Sequence, residues 1–132
     1  MAGALLDTSV VLTAPADVEL PSSAAISVVT LGELHAGVAL ARDDATRDRR
    51  RAGLAAVRSA FLALDVDADV AQRYGDVLAL ARKQGHSAKA TDLLIIATAA
   101  AHRRTLHTLD VRQARLARAA GAAVSGVAGR ED

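Results

Sequence analysis

An uncharged, aliphatic stretch that begins after Asp92 constrains the fold of this chain more than any other feature. Residues 92–102 read DLLIIATAAAH, and the apolar residues cover nearly every face of the helix that this pattern predicts. Such a helix lies inside a protein rather than on its surface. Two arginines at 103–104 then predict a turn, and residues 105–109 predict a strand. A buried helix followed at once by a strand indicates a layered α/β domain.

The rest of the chain repeats this alternation of short apolar runs and amphipathic segments. The predicted strands are 3–6, 24–29, 62–66, 105–109 and an edge strand at 122–127. The predicted helices run from a cap at Thr30 to about 41, over 45–61, over 67–84 with Gly85 after the end, from about Asp92 onward, and over 112–120. Residues 14–22 hold both prolines and predict a loop, and residues 129–132 predict a frayed tail. The expected fold is α/β, with a mostly parallel sheet of about five strands between two helical layers.

Length and composition limit the classes of function. The 132 residues fit one domain, 1–132, and 52% hydrophobic residues exclude a disordered chain. Aromatic residues make up only 2%, so a surface that grips RNA bases by stacking is not expected. There is no cysteine, and hence no thiolate metal site. No apolar run approaches the roughly twenty residues of a membrane span, and the N-terminus does not resemble a signal peptide, so we expect a cytoplasmic protein.

Four acids occupy similar places at the ends of predicted elements. Asp7 and Asp110 each follow a strand, whereas Glu33 and Asp92 each lie at the start of a helix. Sites in α/β folds form outside the carboxyl ends of the strands, so we expect these acids to meet there. Carboxylates about 5 Å apart repel each other by roughly 3 kcal/mol, and a divalent cation would offset that repulsion. Ligands that are all oxygen favour Mg²⁺ or Mn²⁺ over Zn²⁺.

Each acid also has a purely structural explanation. Asp7 fits a residue that caps a turn, and Glu33 fits the second member of a capping box that starts at Thr30. Asp92 and Asp110 fit N-cap residues, which stabilise a helix by about 1 kcal/mol. For each acid taken alone, these structural roles are at least as good as the functional one. The occurrence of all four at one predicted sheet edge favours a metal site.

Four short motifs carry a resemblance to a known family. The segments LLDTSVV, TLGELHAGV, TDLLIIATA and TLD resemble the motifs of PIN-domain nucleases, and most closely those of the VapC toxins of bacterial VapBC toxin–antitoxin pairs. The resemblance extends from Leu5 to about Ala123. It implies a metal-binding quartet of Asp7, Glu33, Asp92 and Asp110, and Mg²⁺- or Mn²⁺-dependent cleavage of RNA. It also implies a VapB-type antitoxin partner and a homodimer.

The resemblance extends to polar residues beside the acids. Thr8, Ser9 and Thr108 match positions that flank the acids in the family, and we expect them to contact substrate. Several relatives carry a further Asp or Asn shortly after the last acid, whereas this chain continues with VRQ at 111–113, which argues against a fifth ligand there.

Basic residues near the acids allow two explanations. Lys89 and Arg112 either hold the phosphate that is cut or are ordinary surface residues at helix starts. The run of charged residues at 47–51 either is a solvated helix face or contacts RNA phosphates.

The function predicted from the sequence is therefore a metal-dependent endoribonuclease of the VapC toxin type. One alternative is a housekeeping PIN nuclease that matures RNA. The other is a receiver-like signalling domain that accepts a phosphoryl group, but such a domain needs a lysine at the end of a late strand, where this chain has Asp110.

Overall fold

The computed structural model describes residues 3–13 and 23–126. The predicted loop at 14–22 lies outside the described residues, as do residue 127 of the predicted edge strand and the predicted frayed tail at 129–132. The elements are β1 (Ala4–Leu6), α1 (Thr8–Thr13), β2 (Ala25–Ser27), α2 (Val28–Ala39), α3 (Asp44–Ala60), β3 (Leu62–Leu64), α4 (Ala68–Lys83), α5 (Ala90–Ala101), β4 (Thr105–Thr108), α6 (Val111–Ala119) and β5 (Val124–Gly126).

The strands form one parallel sheet in the order β3-β2-β1-β4-β5. Successive residues of β1 point to opposite faces, as the pleat requires. Leu5 packs in a cluster with residues of α4, α5 and α6, whereas Ala4 and Leu6 pack in a second cluster that residues of α1, α2 and α3 help to cover. Helices therefore cover both faces, and the predicted α/β architecture with a five-stranded parallel sheet is confirmed.

Helix α5 is the most buried helix of the described chain. Its residues 95–99 are all buried, and so is Leu93. The one buried hydroxyl in this helix belongs to Thr98, which donates a hydrogen bond to the Leu94 carbonyl at 2.7 Å. The expectation of a buried helix that leads through a turn at 103–104 into a strand is confirmed. No helix among the described residues is both long and apolar enough to cross a membrane.

Helix α1 was not predicted from the sequence. It starts directly after β1, and the carboxylate of Asp7 accepts a hydrogen bond from the Val10 N–H at 3.1 Å, as an N-terminal cap does. The β-branched residues of TSVVLT disfavour a helix by intrinsic propensity. Here the buried carboxylate of Asp7 and the packing of Val10 outweigh that propensity.

Two predicted helix caps are wrong. Helix α2 is capped by Ser27, whose hydroxyl accepts a hydrogen bond from the Val29 N–H at 3.0 Å. Strand β2 therefore ends two residues before the predicted end, and Thr30 is a buried residue inside the first turn rather than the cap. Helix α5 starts at Ala90 with Lys89 at the cap position, which places Asp92 in the first turn rather than at the N-cap.

Other helix ends follow the sequence closely. Asp67 caps α4, and Gly85 after its end has φ of 71°, a conformation that glycine adopts without strain. Asp43 caps α3, and α2 stops at Ala39, two residues before the predicted end near 41. Within 47–51, Arg47 donates to the Ala41 carbonyl and Arg50 to the Gly37 carbonyl, so two side chains of this charged run hold α3 against α2.

Candidate active site

The four acids come from four different segments around the centre of the sheet. Asp7 directly follows β1, and Asp110 lies two residues after β4, the neighbouring strand. Glu33 lies in α2 and Asp92 in α5. The chain leaves β1 toward β2 on one side and returns to β4 on the other, so β1 and β4 flank the topological switch point of the sheet. Ligands of open α/β sheets bind at this place.

Asp7 is the most enclosed acid. It is 2% exposed, and its Oδ1 accepts hydrogen bonds from the Ser9 hydroxyl at 2.6 Å and from the Val10 N–H at 3.1 Å. Burial raises the pKa of Asp7, and the nearby charge of Asp110 adds to the rise, whereas hydrogen bonds from Ser9, Thr108 and the Val10 N–H oppose it. Burial is the largest of these effects, so the negative charge at Asp7 is held at a cost that a bound cation would offset.

Glu33 is held by a chain of hydroxyl groups. The Thr8 hydroxyl donates to Glu33 Oε1 at 2.6 Å, and it lies 3.0 Å from the hydroxyl of Thr30. Thr30 is fully buried, so its hydroxyl helps to fix the position of the Thr8 hydroxyl. Glu33 is therefore oriented by contacts to α1 and does not serve as the predicted capping-box residue.

Asp92 connects the four acids electrostatically. It is partly buried in the first turn of α5, and burial raises its pKa. The charges of Glu33, Asp110 and Asp7 raise the pKa further, while the positive charge of Lys89 lowers it. The structure thus brings the other three predicted acids into electrostatic range of Asp92.

Asp110 has the capping role that was its structural alternative. Its Oδ1 accepts hydrogen bonds from the Arg112 N–H at 2.9 Å and the Gln113 N–H at 3.3 Å, which caps α6. Its own N–H donates to the Thr108 hydroxyl at 3.0 Å. The residue is exposed. The charge of this capping carboxylate still acts on Asp7 and Asp92.

Ser9 connects the ends of the two central strands. Its hydroxyl donates to Asp7 and accepts a hydrogen bond from the Leu109 N–H at 3.1 Å. Ser9, Thr8 and Thr108, which were expected to contact substrate, all lie beside acids and hydrogen-bond to acidic residues in this structure. Their observed contacts position the acids.

A groove of about 220 Å³ opens beside Asp92 and Asp110. Lys89 and Arg112, the two predicted phosphate contacts, both line it, and both are exposed. Gln113 also lines the groove. The groove therefore places two exposed cations next to two of the acids, which suits a phosphate that must approach a negatively charged site.

The donor set fits a hard divalent cation. The side chains that meet here offer carboxylate and hydroxyl oxygens, which Mg²⁺ and Mn²⁺ prefer. Among the described residues, however, no three of the Asp, Glu and His side chains lie close enough together to form a ready-made ligand set. Charges act on one another over longer distances than those of metal coordination. The other acids can therefore raise the pKa of Asp92 without lying within coordination distance of a common ion. Mg²⁺ keeps several waters and binds through one or two carboxylates, so the spacing fits a partly hydrated ion.

Two residues of this site were not identified from the sequence as parts of it. Thr30 matched a helix-cap pattern, and only the observed start of α2 reveals it as the support of Thr8. Gln113 was noted only as a departure from the family pattern, but it is 7% exposed and its Nε2 lies 3.4 Å from the Asp92 carbonyl oxygen. A glutamine three residues after an N-cap acid is the one signal that the sequence offered.

Comparison with known proteins agrees with this arrangement. The sequence model of the PIN domain family matches residues 4–119. Ribonuclease VapC8 of Mycobacterium tuberculosis is 42% identical over 100 residues, which cover 72% of this chain and 88% of that protein. The crystal structure of VapBC-5 from Mycobacterium tuberculosis, a member of the VapBC family of toxin–antitoxin systems, aligns with a TM-score of 0.81 and 32% identity over 96% of this chain and 98% of that one.

A further solved structure extends the similarity. That of FitAcB from Neisseria gonorrhoeae aligns with a TM-score of 0.73 and 27% identity over 91% of this chain and 94% of that one. The family match covers most of the chain, and the identity to a VapC ribonuclease extends over more than two-thirds of it. The chain is therefore a member of the PIN domain family, of the VapC type.

Proposed function

We propose that this protein is a divalent-metal-dependent endoribonuclease that hydrolyses RNA phosphodiester bonds as the toxin of a toxin–antitoxin pair. One arrangement carries the proposal: four carboxylates from four segments lie around the switch point between β1 and β4, and the charges of three of them raise the pKa of the fourth, Asp92. The 42% identity to a protein named as a ribonuclease supports the substrate class. The structural similarity to VapBC-5 supports the toxin role.

The metal of this proposal is Mg²⁺ or Mn²⁺. Asp7 and Asp92 would hold it, and Glu33 and Asp110 would complete the site directly or through water. When bound, the cation would supply activation of a water nucleophile and charge stabilisation at the leaving oxygen. The raised pKa of both Asp7 and Asp92 supports this choice, because each carboxylate is destabilised in its charged form until a cation is near.

The protein's own residues orient the acids and the substrate. Ser9 fixes Asp7 relative to the end of β4, and Thr8 fixes Glu33 relative to α1. Lys89 and Arg112 hold the phosphate at the mouth of the groove, where their charges offset the repulsion between the acids and an RNA backbone. Because both side chains are exposed, they can move with the substrate.

The partners in this proposal are an RNA substrate, a VapB-type antitoxin and a second copy of the chain. A free ribonuclease damages the RNA of its own cell, so an inhibitor has to cover the groove beside the acids. An arginine of the antitoxin would pair with the carboxylates and take the place of the metal. The RNA substrate also implies a cytoplasmic location, and residues 1–132 are taken as a single domain.

The two alternative functions fare differently. The observed strand order, β3-β2-β1-β4-β5, differs from the 2-1-3-4-5 order of flavodoxin-like folds, and the family match points to a nuclease domain. Both disfavour the receiver-like domain. The housekeeping nuclease shares the chemistry proposed here, and a small antitoxin gene beside the gene of this chain would separate the two.

The test of the proposal maps RNA cleavage. Wild type and Asp7→Asn are expressed separately, and the 5′ ends of cellular RNA are sequenced after each induction. We expect new ends at defined sites with wild type and none above background with Asp7→Asn. Identical end patterns for the two proteins, with both folded by circular dichroism, would refute the nuclease assignment. Co-expression with the neighbouring small gene should suppress the wild-type ends and yield a complex on purification.

A further inference from the structure

Side chains other than the two proposed phosphate contacts also line the groove beside Asp92 and Asp110. Ile96 and Leu116 also line it, and so does Gln113. We propose that this groove receives a single unstacked base of the RNA, next to the bond that is cut, and that Gln113 reads the edge of that base. The inference rests on the proposed ribonuclease function and deepens it, because it identifies what sets sequence preference.

The size of the groove fits one base. Pockets for drug-sized ligands have volumes of roughly 300–1,000 Å³, and this groove has about 220 Å³. It is therefore too small for a folded RNA element and large enough for a fragment of a nucleotide. Proteins that read RNA sequence commonly take single bases out of the stack and bind their edges.

The groove distinguishes bases by polar contacts rather than by stacking. Ile96 and Leu116 are 0% and 2% exposed, so they line the groove but present little apolar area. The single tyrosine and the single phenylalanine, Tyr74 and Phe61, pack against the two core clusters. The ring at the groove is the imidazole of His86, and stacking on a ring accepts every base because every base has a π-face. Preference for one base over another therefore has to come from hydrogen bonds to its edge.

Gln113 is the residue best placed to make those hydrogen bonds. It is 7% exposed, so its side chain is held in place by its neighbours. Its Nε2 makes one long contact, 3.4 Å, to the Asp92 carbonyl, and its Oε1 makes no hydrogen bond within 3–13 and 23–126. A carboxamide with a free acceptor and a weakly engaged donor can form a pair of hydrogen bonds to a base edge.

The charges around Gln113 favour a base over a second phosphate at this point. Asp92 and Asp110 flank the groove and repel phosphate oxygens, whereas a neutral base meets no such repulsion. Lys89 and Arg112 are exposed at the same groove and can hold the phosphates on either side of the base. The groove thus separates contacts that position the backbone from the one contact that specifies sequence.

The experiment compares three proteins on one long unstructured RNA in Mg²⁺. These are wild type, Gln113→Met, and Gln72→Met as the matched control, since Gln72 is an exposed residue of α4 that does not line the groove. Cleavage sites are sequenced, and base frequencies are compared at the positions that flank each cut. We expect wild type and Gln72→Met to share a preferred base at one flanking position. Gln113→Met should lose that preference and cut the favoured site roughly tenfold more slowly.

The outcomes separate this inference from the proposed function. An unchanged base preference in a folded Gln113→Met protein would overturn the inference and leave the nuclease intact, as would a wild type that cuts with no flanking preference. A folded wild type that cuts no RNA would overturn both. If Gln113→Met does not fold, Gln113→Asn takes its place, because the shorter carboxamide keeps the chemistry but withdraws it from the base, and the same loss of preference is expected.

Discussion

The acid site has two halves that differ in how firmly the protein holds them. The inner half consists of Asp7 and Glu33 with the hydroxyls of Thr8, Ser9 and Thr30, and short hydrogen bonds of 2.6 Å fix both acids. The outer half consists of Lys89, Asp92, Asp110, Arg112 and Gln113, and lines an open groove. The inner half is built from the end of β1, the start of α1 and the first half of α2, whereas the outer half belongs to the starts of α5 and α6.

This difference assigns different tasks to the two halves. A carboxylate that is buried and hydrogen-bonded keeps its position whether or not ligand is present, so the inner half supplies fixed geometry. The outer half is accessible and carries both signs of charge, so it meets the substrate. The electrostatic effect of Asp7 and Glu33 on Asp92 connects the halves. Substitutions in the two halves should therefore fail in different ways.

The largest effect is expected from Asp92→Asn. Mutations of residues that only support a metal ligand commonly cost 10–100-fold in affinity or activity, so losing a charged ligand should slow RNA cleavage by more than about 100-fold. The fold should persist, because Asn retains the size of Asp and the lost helix-dipole interaction amounts to about 0.3–1 kcal/mol. The measurement is cleavage of a structured RNA in Mg²⁺, with circular dichroism of both proteins. A folded variant that cuts at nearly the wild-type rate would remove Asp92 from the active site.

A smaller effect is expected from Ser9→Ala in the inner half. The substitution removes the hydroxyl that donates to Asp7 and accepts from the Leu109 N–H, so Asp7 is less well positioned and that N–H loses its partner. Cleavage should slow by about 10–100-fold, and a higher Mg²⁺ concentration should restore part of the rate. Ser59→Ala on the exposed end of α3 is the matched control and should have no effect. Loss of rate with no change in Mg²⁺ dependence would show that Ser9 contacts RNA instead.

The sequence predicted the architecture and the positions of the acids along the chain well. It predicted less well the hydrogen bonds and helix caps that hold those acids in place. The sequence identifies a helix such as α5 because a helix that is buried on all sides has apolar residues at nearly every position. The sheet edge follows from the alternation of strands and helices, so Asp7 and Asp110 were correctly placed after β1 and β4. These features depend on many residues at once and tolerate local errors of one or two positions.

Local polar contacts did not follow from the pattern. Thr30 and Glu33 have capping-box spacing, yet the helix starts earlier because Ser27 provides the cap and Thr30 bonds to Thr8 from a distant segment. Helix α1 forms despite unfavourable propensity because Asp7 caps its first turn. The contact between Thr30 and Thr8 joins segments far apart in sequence, whereas Ser27 and Asp7 form caps with residues two and three positions later. Which residue caps a helix depends on where the preceding strand ends in the folded sheet, and one sequence read alone does not reveal that.

A moderate effect on stability is expected from the double variant Asp7→Asn/Asp92→Asn. Burial raises the pKa of both acids, and mutual repulsion adds to it, so their charged forms destabilise the metal-free protein. In EDTA the double variant should melt above wild type by a few degrees, on a scale of roughly 4 °C per kcal/mol for a domain of this size. Millimolar Mn²⁺ should raise the melting temperature of wild type and have little effect on the variant. A variant that melts lower in EDTA and still gains from Mn²⁺ would identify both acids as structural.

The smallest effect is expected in the pH dependence of stability, and it separates repulsion from capping. For Asp7 and Asp92 the folded-state pKa lies above the unfolded value of 3.8, so the folded protein binds more protons between the two values. Their contribution to stability is therefore complete below about pH 4 and is lost as the pH rises through the raised pKa values. In EDTA, the melting temperature of wild type should fall relative to the double variant across this window and then run parallel to it.

With Mg²⁺ the trend should reverse, because metal and protons compete for the same carboxylates and the metal gains as pH rises. Melting curves of both proteins from about pH 4 to about pH 8, with EDTA and with Mg²⁺, provide the measurement. If the two melting temperatures instead run parallel at every pH in EDTA, the hydrogen bonds from Ser9 and the Val10 N–H fully offset the effect of burial on the pKa of Asp7.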